Sequence, residues 1–148
     1  QSKIVVFERP GLREFLRRAS SIAELVLFTA GLEGYASSLC DSIDPEGHLS
    51  ARLYRDSCVS TRGKDHVKDL SRLGRDLSRT LLVDNNPFSF MLQPANGIPI
   101  APFAGEPGDE QLLGVLLPLL ESLAMLSDVR PLLSARFHMG QWFQMQGL

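Results

Sequence analysis

Lys68 in "HVKDL", Asp84-Asn85 closing "TLLVDNNP", Thr29 closing "ELVLFT" and Arg55 in "RLYRDSCV" are residue types that together suit phosphoryl chemistry. A phosphate monoester carries about two negative charges near neutral pH. A lysine offsets charge on the bound phosphate and on the transition state. A threonine hydroxyl donates a hydrogen bond to a phosphate oxygen. Aspartate and asparagine oxygens suit Mg²⁺, a hard ion that keeps several of its waters. Taken singly, each residue also has an ordinary reading. Lysine is mostly solvated, threonine ends many strands, and Asp-Asn-Asn-Pro makes a turn and a helix cap. An arginine such as Arg55 often joins a surface ion pair of little energetic weight. The four acquire a joint meaning only if the chain's elements bring them together.

Those elements follow from periodicity. "KIVVF" (Lys3–Phe7) is a β-branched run and predicts a strand. Pro10 opens a helix, where its missing N–H costs nothing, and Leu12, Phe15, Leu16 and Ala19 form its core stripe. "ELVLFT" (Glu24–Thr29) is a continuous apolar run that suits a strand buried on both faces. Gly31 turns the chain into a second helix, with Tyr35, Leu39 and Ile43 at four-residue spacing and Cys40 on its apolar side. A turn-rich stretch follows, with a strand candidate around Arg52–Tyr54, and "LSRLGRDL" is a brief helix or turn. "TLLV" (Thr80–Val83) is a further buried strand and "PIAPF" a short one. Asp109 reads as the N-cap of a long apolar helix over Glu110–Leu126, bent at Pro118, which removes one backbone hydrogen bond. A shorter helix follows near Val129–Arg136, and the pattern places nothing in the apolar, aperiodic "FHMGQWFQMQGL". Residues 1–136 thus read as one domain and 137–148 as a C-terminal tail.

Buried strands alternating with helices predict an α/β fold with a mostly parallel sheet. Ligands of such sheets sit beyond the carboxyl ends of the strands. Thr29 and Asp84 close two of these strands, so an active edge is expected there.

The 148 residues suffice for one domain with a real core. The formal net charge of −2 gives no overall pull toward nucleic acid or an anionic membrane. No apolar run approaches the roughly 18 residues of a spanning helix. Cys40 and Cys58 are too few and too unpatterned for a zinc site or a disulfide framework, and His48, His66 and His138 lack ligand spacing. A reducing interior, nuclear or cytoplasmic, is expected, with neither nucleic acid nor membrane as direct partner.

"VKDLSRLGRDL" followed by "LLVDNNP", with "VLFTAGLEGYA" upstream, resembles the carboxy-terminal-domain phosphatases of the FCP/SCP group, in the haloacid-dehalogenase superfamily. "RPGLREFL", "RLYRDSCV" and "NGIPI" fit the same pattern in the same order. The resemblance implies a Rossmann-like α/β fold and a Mg²⁺-dependent protein serine/threonine phosphatase that acts through an aspartyl-phosphate. By the same resemblance, Thr29 is the phosphate-binding hydroxyl and Lys68 steadies nucleophile and phosphate. Asn85 is a metal ligand, and Asp84 orients the lysine and the metal waters. Arg55, Leu32 and Tyr35 contact substrate. The implied partner is a phosphoprotein, the C-terminal tail of RNA polymerase II among them.

One part of the family pattern is missing. The nucleophile belongs to an Asp-x-Asp-x-Thr motif on a central strand, and no two aspartates in this chain stand two apart. The opening "QSKIVVFERP" matches the family just after that motif. The chain is therefore expected to be inactive alone and to hold no Mg²⁺. A longer polypeptide, a second chain or a swapped copy would supply the strand. The alternative is a non-catalytic binding module: a pseudophosphatase, or a protein like the mitochondrial presequence receptor. That receptor shares "LQP-x-N-x-IP" (Leu92–Pro99) and "DVRP" (Asp128–Pro131), but lacks the Asn-Asn after its aspartate.

Overall fold

The computed structural model describes residues 5–148. Its elements are α1 (Leu12–Ser20), β1 (Leu25–Phe28), α2 (Glu33–Ile43), β2 (Leu49–Leu53), β3 (Val59–Thr61), β4 (Lys64–Val67), β5 (Leu82–Asp84), β6 (Gly97–Pro99), α3 (Leu117–Ala124), α4 (Arg130–Phe137) and α5 (Met139–Met145). The architecture is mixed α/β. Among the described residues the strands form three two-stranded sheets: β1–β2 and β5–β6 are parallel, and β3–β4 is antiparallel.

Several expectations shift. Lys3 and Ile4 lie outside the described residues, and Val5–Phe7 form no strand. Their apolar side chains are exposed, Phe7 at 62%. A strand is made by its partner, and this run has none among the described residues. α1 starts at Leu12 rather than Pro10, because Gly11 precedes it in the left-handed region at φ 78°. Leu16 and Ala19 are buried as the stripe requires. "ELVLFT" is a strand but is not buried on both faces, since Val26 is 38% exposed. Among the described residues β1 pairs with β2 alone, so its other edge has no neighbouring strand there.

"TLLV" is a strand displaced toward its carboxyl end, over Leu82–Asp84, and the short strand expected at "PIAPF" lies earlier, at Gly97–Pro99, where it pairs with it. Gly97 allows this pairing, because a Cβ there would sit 2.2 Å from the ring of fully buried Phe90. The helix after Asp109 opens with a wide π-turn, Gln111–Leu116, before α3. Pro118 sits in the first turn of α3, where its missing N–H is tolerated.

The core lies around β5 and β6. One cluster joins Val67, Leu70, Leu82, Phe90 and Met91 to Met139 and Phe143 of α5. The other packs Ile98 against Leu112, Leu116, Leu119, Leu123, Val129 and Leu133. The segment after Phe137, unplaced by its pattern, is thus a helix that buries two large side chains. Phe88, Trp142 and Phe143 stack around it with centroids 5.0–6.1 Å apart. β1, β2 and α2 contribute to neither cluster; Ala36 and Cys40 form the buried face of α2.

Candidate active site

Lys68 leaves the end of β4, where its backbone N–H donates to the carbonyl of Ser89 at 2.8 Å. The next residues are braced. Asp69 accepts from the Ser71 backbone at 3.0 Å, and from the Gln93 amide at 2.8 Å, while Gln93 Oε1 accepts from Leu70 N at 3.0 Å. Burial pushes the Asp69 carboxyl up, but hydrogen bonds from the Ser71 hydroxyl at 2.7 Å, the Gln93 amide and the Ser71 N–H together outweigh it and hold the group below the usual carboxylate range. The bracing aims the Lys68 side chain at the end of β5. There Nζ meets Asp84 Oδ2 at 2.5 Å, with both side chains at most 9% exposed. A surface lysine would not do this; Lys68 is buried, and among the described residues Asp84 is its ion-pair partner.

Asp84 ends β5 and is fixed from several sides. Its Oδ1 accepts the Asn86 N–H at 2.9 Å, and its carbonyl accepts from Ile100 N at 3.1 Å. Asn86 Oδ1 then caps the turn Pro87–Phe90 through Phe88 N at 3.1 Å. Asn85, between them, is exposed. The turn-and-cap reading of Asp84-Asn85-Asn86-Pro87 and the functional reading are both realised in one segment.

Lys68, Asp84 and Asn85 line an open cavity of about 290 Å³ together with Phe28, Val83, Arg9, Ile100, Pro102 and Phe103. Lys68 Nζ lies 5.8 Å from the centroid of the Phe28 ring. Phe28 is the last residue of β1 and Asp84 the last of β5, so these two strands present their carboxyl ends to one cavity.

Thr29 comes next after Phe28. Its N–H donates to the carbonyl of Leu53 at 2.9 Å, and its Oγ1 accepts from Gly31 N at 3.0 Å. It does not line the cavity with Lys68. Arg55 donates through Nε to the carbonyl of Ala30 at 2.7 Å and so belongs with Thr29. Leu32, which precedes α2, and Tyr35 in its first turn are 58% and 49% exposed. The expected residues therefore form two groups, Lys68–Asp84–Asn85 and Thr29–Leu32–Tyr35–Arg55, joined through Phe28. Cys58 lies close to both. Burial pushes its thiol up, while the charges of Lys68 and Arg55 pull it down.

Phe28, Arg9 and the 100–103 wall were not legible as site residues. Arg9 pairs with Asp109, 100 positions away, and no local pattern signals such a contact. Chemically, the cavity offers an ammonium with three donors, one of them engaged by Asp84, next to an exposed amide. That is a place for an anion beside a carboxylate. No group of three or more His, Cys, Asp or Glu side chains suited to a metal occurs among the described residues.

Residues 1–130 match the family described as NLI interacting factor-like phosphatase. The chain is 46% identical over 134 residues to "CTD small phosphatase-like protein 2" of Dictyostelium discoideum, covering 90% of this chain and 23% of that protein. It is 46% identical over 127 residues to the human "Carboxy-terminal domain RNA polymerase II polypeptide A small phosphatase 1", covering 86% of this chain and 48% of that protein. Human "CTD small phosphatase-like protein" is 44% identical over 131 residues, 88% of this chain and 47% of that protein. The chain spans about half or less of the length of these relatives. It belongs to the NLI interacting factor-like phosphatases, the FCP/SCP family of the haloacid-dehalogenase superfamily.

Proposed function

We propose that the chain belongs to a Mg²⁺-dependent protein serine/threonine phosphatase, and that phosphate leaves a phosphoseryl or phosphothreonyl protein for an aspartate not among these 148 residues. The observation that carries this reading is the buried Lys68–Asp84 pair at the carboxyl end of β5, in a cavity that Phe28 of β1 also lines. Lys68 keeps two donors for phosphate oxygens, and its charge stabilises the negative charge that develops there. Asp84 holds the lysine in place. Thr29, one residue past Phe28 but not on the cavity lining, is the candidate hydroxyl donor to the phosphate once the added strand completes the site. Leu32, Tyr35 and Arg55 receive the flanking peptide.

Mg²⁺ asks for octahedral oxygen ligation. This chain offers it the exposed amide of Asn85, and in Asp84 a carboxylate already engaged by Lys68 and the Asn86 N–H. These residues alone do not fit the ion. In the proposed enzyme Asn85 is one ligand, and the others come with the Asp-x-Asp-x-Thr segment. That segment also forms the strand between β1 and β5, completing one Rossmann-like parallel sheet, whether it comes from the same polypeptide, another chain or a swapped copy. The named relatives make phosphorylated tails such as that of RNA polymerase II the proposed substrates, in nucleus or cytoplasm.

The test compares this chain with a fusion carrying a "DLDET"-containing family segment ahead of Gln1. With Mg²⁺, the fusion should hydrolyse p-nitrophenyl phosphate and a phosphoserine peptide, and the chain alone should hydrolyse neither. Chelator-sensitive turnover by the chain alone would refute the division of labour. Phosphopeptide binding without turnover in a folded fusion would favour the non-catalytic binding module.

A further inference from the structure

The two residues after Lys68 are gripped by a single side chain. The Gln93 amide donates through Nε2 to Asp69 Oδ1 at 2.8 Å, and its Oε1 accepts the Leu70 N–H at 3.0 Å. The same Asp69 oxygen accepts from the Ser71 N–H at 3.0 Å and from the Ser71 hydroxyl at 2.7 Å. The serine is a local cap, two positions on, whereas Gln93 reaches Asp69 across 24 positions.

Gln93 stands on a firm base. Its N–H donates to the carbonyl of Phe90 at 3.1 Å, and Phe90 is fully buried. Three residues later the buried Asn96 amide donates to the carbonyls of Leu77 and Thr80 at 2.6 and 2.7 Å. The grip therefore ties the Lys68 segment to a part of the core that is itself held.

Direction matters because a lysine side chain is long and turns about several bonds. Side chains of consecutive extended residues leave the chain on opposite sides, and Asp69 is extended at φ −83°, ψ 106°. Holding the Asp69 side chain toward Gln93 and Ser71 sends Lys68 the other way, where Asp84 Oδ2 meets its Nζ at 2.5 Å. An amide suits the task because it carries a donor and an acceptor on one plane. A carboxylate in its place would hold Leu70 but repel Asp69, and an apolar side chain would hold neither.

We infer that Gln93 is a positioning residue for the phosphoryl step: with the two ends of one amide it fixes the direction in which Lys68 meets Asp84 and the phosphate. The inference rests on reading Lys68 as the cation that serves the phosphoryl group. Gln93 does not line the cavity, so its effect reaches the substrate through Lys68.

The experiment uses the full-length protein with Gln93→Met and Gln93→Glu, assayed on p-nitrophenyl phosphate with Mg²⁺ at a temperature where circular dichroism shows each variant folded. Gln93→Met should lower kcat about tenfold or more, because a small misplacement of a reacting group costs up to about a hundredfold; KM should change less. Gln93→Glu should show the same loss near neutral pH, where two carboxylates face each other. Like charges sharing a site bind a proton more readily, so as pH falls the introduced carboxyl gains one. It then donates to Asp69 while its other oxygen still accepts from Leu70, and kcat relative to wild type should recover. Gln93→Met has no proton to gain and should not recover. A side chain that only stabilised the fold would give no such return in protein already folded.

A second readout needs no turnover. Acetylation by acetic anhydride, mapped by mass spectrometry with Lys64 as the reference, should be several-fold faster at Lys68 in Gln93→Met than in wild type. Wild-type kcat in Gln93→Met, a loss confined to KM, or a Gln93→Glu deficit that persists unchanged into acid would each overturn the inference. If the wild-type protein turns over no substrate, it is the phosphatase reading that fails. The labelling still decides whether Gln93 holds Lys68: faster labelling supports the grip, and unchanged labelling overturns it.

Discussion

Replacing Lys68 by Met keeps most of the side-chain volume and removes the charge. Asp84 is then left as a buried carboxylate whose remaining hydrogen-bond partner among the described residues is the backbone N–H of Asn86. Removing one member of a buried pair strands the other and costs about 3–5 kcal/mol. For a chain of this size each kcal/mol moves Tm by roughly 2–4 °C, so Lys68→Met should melt on the order of 10 °C earlier. Asp84→Asn should do comparable harm, because the ammonium then faces a neutral amide. The double variant is the sharper test. With Lys68→Met and Asp84→Asn together no charge is buried, and the Asn side-chain oxygen still accepts the Asn86 N–H. It should therefore recover most of the loss, with a coupling energy of about 2–3 kcal/mol. Urea unfolding followed by circular dichroism measures all four corners of the cycle in the fusion described above. The double variant should fold and yet show no turnover, which separates the lysine's structural part from its chemical one. A double variant no more stable than the worse single one would mean that the ammonium is held by water rather than by Asp84. The reasoning would then fail at its first step.

Three further outcomes are expected. Gly97→Ala should destabilise by about 1–3 kcal/mol or more, because the new Cβ meets buried Phe90 at 2.2 Å in a site with no room to yield; thermal melts of the variant check it. Burial pushes the Asp44 carboxyl up, but N–H groups of Leu49 and His48 at 2.9 Å outweigh it and lower its pKa from 3.8. Its stabilising contribution is present above that unfolded value and is lost as pH falls through the lower folded one. Asp44→Asn should accordingly cost stability at pH 7 and flatten the acid limb of the stability–pH curve. Isothermal titration of the chain alone with MgCl₂ should give no saturable binding tighter than about 1 mM, or roughly 4 kcal/mol; tighter binding would mean that ligands other than Asn85 complete the site.

What the sequence made legible was local chemistry. Asp84 could be placed at the end of a strand because an apolar run stops there, and Lys68 could be paired with it through the family pattern. α4 and the buried Cys40 follow from spacing. What was not legible depends on neighbours. Val5–Phe7 has the composition of a strand but finds no pairing partner among the described residues. α5 looks aperiodic because it buries only Met139 and Phe143, four residues apart, while half-buried Trp142 meets Phe88. Arg9 and Asp109 meet across 100 positions, a contact that nothing in the local pattern of "APFAGEPG" signals.

β1 carries the same point into function. Its run of Leu-Val-Leu-Phe reads as a strand buried on both faces, yet Val26 is exposed and β2 is its one strand partner among the described residues. Burial on the second face requires something packed beside it. The carboxyl end of that strand, Phe28, looks into the cavity where Lys68 and Asp84 meet. A single added strand between β1 and β5 would pair an edge of each that has no partner among the described residues, give Val26 a new neighbour and, on the proposed reading, bring a carboxylate to the phosphate. The folding requirement and the chemical requirement therefore point to the same place. A strand that restored turnover without protecting Val26 would break the link between them. Hydrogen exchange across β1 in the fusion, compared with the chain alone, measures that protection directly; slower exchange in β1 together with turnover is the expected result.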